Sequence, residues 1–367
     1  MSFKRHIFIV LALSLSLLHC KKEKPNPEAN VKVQDTSQAS NQAGDSKNIG
    51  TPFKPIIPLG LDEDLNIPED NPLTAEKVEL GKLLYFDKRL SLDKTVSCAS
   101  CHNPDPKLGW SDGKAVSDGV QGEKGTRNAP TVINSTYMME QFWDGRAPTL
   151  EEQAKGPLTN PVEMKMPDHG AVVDRIRKIP GYTPLFQKAF GEEANIDNIA
   201  KAIASFERTV LGGNSLYDRY QQGEKSALTE SQEKGLKLFF GKANCTKCHV
   251  GSNFSDSDYH NLGVGMTAKK PDLGRYEITK QEKDKGAFKT PTLRDITKTA
   301  PYMHDGSQKT LEEVIEFYNQ GGEKNPWLDS KVEVLHLNEE EKKDLVNFLK
   351  ALDSEPYPFV APGPLPE

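Results

Sequence analysis

The sequence has few cysteines and little that is typical of β-structure. Only five of its 367 residues are cysteine, and no segment alternates apolar and polar residues over the length of a strand. This absence argues against an extended β-sheet and favours helices joined by loops.

The chain also lacks an excess of positive charge, since 47 Lys and Arg stand against 53 Asp and Glu, for a net charge of −6. No block of the chain is strongly basic, so nucleic acid is not expected as a partner. With 36% apolar and 27% charged residues, a wholly disordered chain is excluded. The length predicts about two domains, each large enough to bury a core.

The first twenty residues have the pattern of an export signal. A positively charged start precedes the apolar run 7–18, which is too short to span a bilayer as a stable helix. The stretch ending at Cys20 resembles a bacterial lipobox, although His19 stands where a small residue is usual. We expect Cys20 to be lipidated and to hold the protein in the periplasm or cell envelope. This lipid anchor is the only membrane attachment that we expect. The alternative is a plain signal peptide with a spare cysteine. Residues 21–52 predict a flexible linker.

The four remaining cysteines form two Cys-x-x-Cys pairs, each followed at once by a histidine. The motifs are Cys98-Ala99-Ser100-Cys101-His102 and Cys245-Thr246-Lys247-Cys248-His249. This is the attachment signature of c-type haem, in which two thiols bond to the haem vinyl groups and the adjacent imidazole becomes the proximal iron ligand. The sequence therefore predicts two covalently bound haem c groups.

Three other uses of paired cysteines fit this pattern less well. A zinc site needs four ligands that converge on one ion, whereas these two pairs lie far apart in the chain. A thioredoxin-like redox site needs a βαβ context, and the segments around both pairs have helix and loop patterns. Twin structural disulfides are the third alternative.

An internal sequence repeat indicates two equivalent units. The stretch 73–86 precedes the first haem motif, and the similar stretch 228–240 precedes the second. Each predicts an amphipathic helix that is capped by a threonine. Each unit also closes with a helical pattern, over 196–210 in the first and 338–352 in the second.

We therefore predict a mainly α protein made of two cytochrome c-type domains with long loops, each carrying one covalent haem. The N-terminal domain is expected at residues 53–212. The C-terminal domain is expected at residues 213–367, after a Gly/Asn stretch that favours a boundary.

Several stretches outside the haem motifs resemble the bacterial dihaem cytochrome c peroxidases and their MauG-type relatives. They share their order and spacing with that family: Arg127-Asn128-Ala129-Pro130-Thr131, Phe142-Trp143-Asp144-Gly145-Arg146-Ala147, Leu150-Glu151-Glu152-Gln153-Ala154, Asn160-Pro161-Val162-Glu163-Met164 and Ala300-Pro301-Tyr302-Met303-His304-Asp305-Gly306. With the haem motifs they cover residues from about 70 to 355. The resemblance implies that the N-terminal haem (haem 1) binds peroxide and that the C-terminal haem (haem 2) relays electrons.

The resemblance also assigns roles to single residues. His102 would be the proximal ligand of haem 1 and His249 that of haem 2, while Glu163 and Gln153 would line the distal pocket of haem 1. Cleavage of the peroxide O–O bond needs a group that takes a proton from one oxygen and returns it to the other, and this is the role expected of Glu163. A solvated carboxylate and an exposed helical amide are the alternatives for Glu163 and Gln153.

Two further matches lie between the domains. Trp143 matches the tryptophan that the family places between the haems, where an indole can relay electrons; core packing is the alternative. Asn128, with the carbonyls of Thr299 and Pro301, matches the family's calcium site. Oxygen ligands suit calcium, although asparagine here is also a good turn former.

The loop after the first haem motif departs from many family members, which close haem 1 at rest with a distal histidine from this loop. Here no histidine occurs between His102 and His169, and the loop contains Gln121 instead. An amide is a poor ferric-iron ligand beside imidazole. The sequence therefore predicts a haem 1 that is open and needs no reductive activation.

The second departure concerns the other axial ligand of haem 2. Classical members have a methionine fourteen residues after the residue that matches His304; here that residue is Tyr318, as in the MauG-type branch. A phenolate ligand would lower the potential of haem 2. A core tyrosine is the alternative, in which case Met266 and Met303 are the rival ligands.

A helical pattern supports an inward-pointing Tyr318. Leu311, Val314 and Ile315 share its face. Thr310 and Glu313 predict a capping box at the start of this helix, and Gly321-Gly322 predicts its end. Of the other histidines, His169, His260 and His336 are expected at the surface or satisfied in the core, and His304 near haem 2.

These residues support three functions. The first is an exported dihaem peroxidase that reduces hydrogen peroxide to water with electrons from a small cytochrome c or copper protein. The second is a MauG-type oxidant that uses high-valent haem to modify side chains of a partner protein. The third is a non-enzymatic dihaem electron carrier, which would need no open iron coordination site. Family likeness also suggests a homodimer.

Overall fold

The computed structural model describes residues 49–361 and 363–367. Within them the chain is mainly helical: α1 Ala75–Phe86, α2 Cys98–Cys101, α3 Leu150–Thr159, α4 His169–Arg177, α5 Thr183–Phe190, α6 Ile196–Glu207, α7 Leu216–Gln221, α8 Glu230–Phe240, α9 Tyr276–Thr279, α10 Leu311–Asn319 and α11 Glu339–Lys350. Two short strands, β1 Tyr259–His260 and β2 Phe288–Lys289, pair antiparallel. Long loops and single 3-10 turns join these elements.

The two predicted threonine-capped helices are α1 and α8. The Thr74 side chain accepts a hydrogen bond from the Lys77 amide, and the Thr229 side chain accepts one from the Gln232 amide. Each cap satisfies a backbone donor that has no partner within its helix. Helix α1 packs against α6, and α8 packs against α11, so the internal sequence repeat corresponds to two similar helix pairs.

A glycine lies at the crossing point of each helix pair. A Cβ atom added to Gly81 would lie 1.8 Å from the carbonyl oxygen of Ala202 in α6, and one added to Gly235 would lie 2.0 Å from that of Asp344 in α11. Any side chain there would push the two backbones apart. The glycines shared by the two stretches therefore reflect close helix packing before each haem motif.

We expect Gly81→Ala and Gly235→Ala each to lower the free energy of unfolding by about 1–3 kcal/mol, the usual cost of overpacking. Chemical denaturation of the haem-loaded protein measures this. Gly156→Ala in α3 is the control, because its nearest neighbour, the Phe142 ring, is 3.4 Å away. Equal stability of the Gly81 and Gly156 variants would show that the crossing does not require glycine.

The buried residues form two hydrophobic cores. The first is built by α1, α3, α4, α5 and α6 around Leu84, Trp110 and Phe206. The second is built by α8, α10 and α11 around Phe239 and Phe348. Each core lies beside one Cys-x-x-Cys-His motif.

Near both ends of the described part, a segment of each half contacts the other half. The Asn214 amide donates to the carbonyl of Leu59 at 2.7 Å, so the segment before α1 reaches the second half. After α11 the C-terminal segment returns to the first core, where the buried indole of Trp110 donates to the carbonyl of Pro358 at 2.9 Å. Tyr357 packs against the same core.

Several predictions concern residues outside the described part. The export signal, Cys20 and residues 21–48 of the predicted linker lie there. The end of that linker is described: the Ala75 amide donates to the carbonyl of Thr51 at 2.9 Å, which joins residue 51 to the start of α1. None of the helices within residues 49–361 and 363–367 combines the length and apolarity needed to cross a bilayer.

Candidate haem sites

The first haem motif begins on the single turn α2. Cys98 and Cys101 are free thiols, and the Nδ1 atom of His102 lies 2.9 Å from the carbonyl oxygen of Pro130. This bond requires a proton on Nδ1, so the lone pair is on Nε2, the nitrogen that can bind iron. Burial lowers the pKa of His102, which keeps the imidazole in the neutral, ligating form.

The second motif repeats this chemistry. Cys245 and Cys248 are free thiols, and the Nδ1 atom of His249 lies 2.8 Å from the carbonyl oxygen of Phe254. Burial also lowers the pKa of His249. Both histidines are thus held in the same tautomer by a backbone carbonyl.

Each motif faces its own cavity. A cavity of about 490 Å³ is lined by both cysteines of the first motif and His102, and one of about 260 Å³ by both cysteines of the second motif and His249. Covalent haem requires two free thiols and a neutral imidazole on the wall of an internal cavity. Both cavities meet this requirement, so the residues present fit the group. We call these spaces the haem 1 and haem 2 cavities.

The haem 1 cavity brings Glu163 and Gln153 together with His102. The carboxylate of Glu163 accepts a hydrogen bond from the Asn160 side chain at 2.9 Å. Burial raises the pKa of Glu163, and the charge of Arg146, which lines the same cavity, opposes that rise. This partly buried carboxyl therefore lines the same internal cavity as His102 rather than lying as a solvated carboxylate in a surface loop.

Arg146 was not recognised in the sequence as a site residue. Its guanidinium lies 3.5 Å above the centre of the Phe142 ring and pairs with Asp144 at 3.0 Å. These contacts hold a positive charge at the cavity wall beside Glu163. The motif around Trp143 contained Arg146, but nothing local indicated that it faces the site.

The loop after the first motif turns Gln121 away from the haem 1 cavity. Gln121 is exposed, and its side-chain oxygen accepts a hydrogen bond from Lys165 at 3.1 Å. Among the described residues that line the cavity, His102 is the one histidine, and the one thioether, Met164, is packed into the first core. The lining thus contains no second imidazole.

Trp143 lies between the two cavities and lines both. Its indole N–H donates to the carbonyl of Asn128 at 2.9 Å, and its own carbonyl accepts from the Lys289 amide at 2.8 Å. The indole is therefore held by Asn128 of the first half, and the backbone of Trp143 by Lys289 of the second half. This position suits a relay between the cavities.

Tyr318 lines the haem 2 cavity on α10, together with Leu311, Val314 and Ile315 as the helical pattern predicted. Its hydroxyl has no hydrogen-bond partner among the described residues, unlike a satisfied core tyrosine. Burial raises the pKa of Tyr318, and a ferric ion would reverse this by supplying positive charge. Of the rival ligands, Met303 also lines the cavity, whereas Met266 does not.

The predicted capping box of α10 is only half formed. Thr310 accepts from the Glu313 amide as expected, but the Glu313 carboxylate accepts from the Lys309 amide at 2.5 Å rather than from Thr310. The helix ends at Asn319, ahead of Gly321 and Gly322, whose positive φ angles turn the chain.

The three residues predicted to bind calcium lie in the lining of one cavity, that of haem 2. Asn128, Thr299 and Pro301 all line it. The Asn128 side-chain nitrogen donates to the carbonyl of Lys114 at 2.8 Å, which directs its oxygen to the opposite side of the amide. His304 also lines this cavity and stacks on Phe288 with ring centres 3.5 Å apart.

Glu207 is a buried carboxyl of the haem 1 cavity that the sequence analysis did not single out. It is 6% exposed, and one of its oxygens has no hydrogen-bond partner among the described residues. Burial raises the pKa of Glu207 to about 8. The helical period could have indicated that Glu207 is buried. It lies four residues after the buried Ile203 and eight residues after the buried Ile199, on the same face of α6.

His260 was expected to be satisfied or exposed, and it is buried between two carboxylates beside the second motif. Nδ1 lies 2.6 Å from Asp329 and Nε2 lies 3.0 Å from Asp256. Burial lowers its pKa, but the hydrogen bonds to Asp329 and Asp256 favour the protonated imidazole and raise the pKa. One atom each of Cys248, Asp256 and His260 lie within 4.8 Å of one another. Because Cys248 is committed to haem attachment, the cluster is an ion-pair support of the motif rather than a metal site.

Two helical cores and two thiol–imidazole cavities define a dihaem c-type cytochrome. The profile described as di-haem cytochrome c peroxidase matches residues 75–226, and that described as cytochrome c matches residues 232–353. The methylamine utilization protein MauG of Methylorubrum extorquens is 42% identical over 304 residues, covering 82% of this chain and 84% of that protein. The cytochrome-c peroxidase IdrP1 of Denitromonas iodatirespirans is 39% identical, covering 86% and 89%.

A crystal structure of a MauG-like protein associated with microbial copper homeostasis superposes with a TM-score of 0.74 at 35% identity, covering 83% of this chain and 95% of that one. The chain belongs to the di-haem cytochrome c peroxidase family. It is an oxidoreductase with two haem c groups, and the predicted fold class is confirmed.

Proposed function

We propose that the protein reduces hydrogen peroxide to water at haem 1, with electrons that enter through haem 2. The observation that carries this proposal is the presence of Glu163, a carboxyl with a raised pKa, in the same cavity as the iron-binding face of His102. A pure electron carrier would have no need of such a group.

Haem 1, held by Cys98, Cys101 and His102, would supply redox-active iron for the reduction of peroxide. Glu163 accepts a proton from one peroxide oxygen and returns it to the other, which leaves as water. The positive charge of Arg146 stabilises the ionised form of Glu163 while it acts as base. Gln153 offers an amide that can hydrogen-bond to the bound substrate and orient it.

Reduction of one peroxide to two waters consumes two electrons and two protons. Trp143 is the side chain through which we expect the electrons to pass, because it borders both cavities and is held from both halves of the chain. A small cytochrome c or copper protein would deliver them to haem 2.

We predict that haem 1 is open in the fully oxidised protein. The support is the absence of a second imidazole among the described lining residues and the exposed position of Gln121. Electron paramagnetic resonance should then show a high-spin ferric signal, and cyanide should bind without prior reduction. A spectrum with only low-spin, six-coordinate haems would contradict this prediction.

A second candidate function is the MauG-type oxidation of side chains in a partner protein. The observation that favours it is Tyr318, whose hydroxyl faces the haem 2 cavity without another partner in the described part of the chain. A phenolate ligand would favour the oxidised states of iron, so that haem 2 would hold an oxidising equivalent rather than supply an electron.

One experiment separates these functions. The purified oxidised protein is mixed with peroxide in a stopped-flow spectrometer, and a reduced small cytochrome c or copper protein is then added. Fast oxidation of the donor supports the peroxidase. A long-lived oxidised state that ignores both donors would overturn it in favour of the protein-modifying function.

We also propose calcium at Asn128, Thr299 and Pro301, since one side-chain oxygen and two carbonyl oxygens can meet there without a charged ligand. Removal of calcium with a chelator should change the haem 2 spectrum, and added calcium should restore it. An unchanged spectrum in protein shown by elemental analysis to be free of calcium would refute the site.

The cellular setting is proposed from the N-terminal sequence, which lies outside the described residues. Export would place the haems in the periplasm or cell envelope, and lipidation of Cys20 would tether them there through the linker. A homodimer is proposed from family likeness. Labelling with a radioactive fatty acid, compared between Cys20 and Cys20→Ser, tests the anchor.

A further inference from the structure

Lys289 is a charged residue of the haem 2 cavity whose ammonium has no partner within the described part of the chain. It lies on β2, opposite Tyr259 of β1, and lines the cavity. No carboxylate or other acceptor within residues 49–361 and 363–367 pairs with its Nζ atom. The carboxylate whose charge acts on this ammonium is that of Glu140. Glu140 already accepts a hydrogen bond from the Tyr259 hydroxyl and forms a salt bridge with Arg275.

The other two lysines of the same cavity are paired. Lys247 lies 3.3 Å from Glu333, and Lys331 lies 3.7 Å from Asp256. Lys289 is half-buried in the cavity wall, and burial lowers its pKa to about 8. Removing an ammonium from water without a counter-charge is costly, so a partly buried lysine with no partner among the described residues indicates that an anion is supplied from elsewhere.

The group that belongs in this cavity carries anions of its own. Haem c is attached to the chain through its vinyl groups, which leaves its two propionate carboxylates as its negative charges. We propose that the Lys289 ammonium forms an ion pair with a propionate of haem 2 and thereby sets the potential of that haem. Lys289 is a positioning residue in this role, because it acts on the iron through the porphyrin edge.

The location of Lys289 gives this ion pair a second consequence. The Lys289 amide donates to the carbonyl of Trp143 at 2.8 Å, so the residue that holds the propionate also holds the backbone of the inter-haem tryptophan. The ion pair thus ties haem 2 to the relay residue at the wall that separates the two cavities.

Lys289→Met removes the charge and keeps much of the side-chain volume. The lost positive charge leaves a propionate uncompensated, which stabilises ferric iron, so the midpoint potential of haem 2 should fall. The potential of haem 1 should not change. The pH at which the haem 2 potential responds to propionate titration should rise, because a carboxylate without its ammonium binds a proton more readily.

Spectroelectrochemical titration of the haem-loaded protein, over a series of pH values, measures both effects. Lys289→Arg should retain the wild-type potential, and Lys289→Gln provides a second neutral variant if the methionine variant does not mature. Lys331→Met is the matched control, because Lys331 lines the same cavity but is already paired. An unchanged haem 2 potential in either neutral variant, or an equal shift in Lys331→Met, would overturn the proposal.

Discussion

Replacement of Glu163 by glutamine is expected to slow the reaction of the oxidised protein with peroxide by about 10²–10⁴-fold, the usual contribution of a positioned acid–base group. The amide keeps the size of the side chain and its contact with Asn160 but can no longer accept the peroxide proton. Stopped-flow absorption of the haem bands measures the rate constant directly.

Glu152→Gln is the matched control for this variant, since Glu152 lies on α3 next to Gln153 but is exposed and paired with Lys155. It should react at the wild-type rate. Both variants should bind cyanide as the wild type does, which separates proton transfer from access to the iron. A normal peroxide rate in Glu163→Gln would remove Glu163 from the mechanism.

The same group gives the reaction its expected pH dependence. Burial raises the pKa of Glu163 above its ordinary value of 4.5, so its basic form is lost at a higher pH than that of an exposed carboxylate. The wild-type rate should therefore fall as the pH is lowered through this raised pKa, and the Glu163→Gln rate should not follow that curve.

Replacement of Tyr318 by phenylalanine is expected to change the spectrum and the midpoint potential of haem 2 more than those of haem 1. Loss of a phenolate ligand would alter its low-spin spectrum and raise its midpoint potential by on the order of 100 mV, within the range that axial ligands span. Tyr302→Phe is the matched control, because Tyr302 also lines the haem 2 cavity. Redox titration followed in the visible bands checks both variants.

The outcomes for Tyr318 discriminate between ligand assignments. A haem 2 spectrum that is unchanged in Tyr318→Phe but altered in Met303→Leu would assign the ligand to Met303, the rival that shares the cavity. A change in Tyr302→Phe alone would assign it to a tyrosine that no sequence pattern singled out.

The two haem attachment motifs could be recognised in the sequence because their chemistry is local. Two thiols and a histidine within five residues suffice to define a c-type haem motif, and no distant contact is needed to recognise it. The helix that presents Tyr318 was predictable for the same reason, since its apolar face repeats with the helical period.

The polar network around the cavities could not be predicted in this way. Local spacing gives no sign that Lys331 has a carboxylate partner while Lys289 has none among the described residues, because their surroundings come from distant segments. The packing of the C-terminal segment against Trp110 is equally invisible in the sequence, where the two are separated by most of the chain.

The amino-acid order alone thus indicated two haems, the two motifs predicted to bind them and the helices that precede those motifs, because each of these depends on neighbours within a few turns. Folding in three dimensions was needed to bring Trp143 to the wall shared by both cavities, to bury Glu207 and to place Lys289 where no described carboxylate pairs with it. Burial and charge pairing depend on which remote segments meet, and short-range patterns carry no information about that.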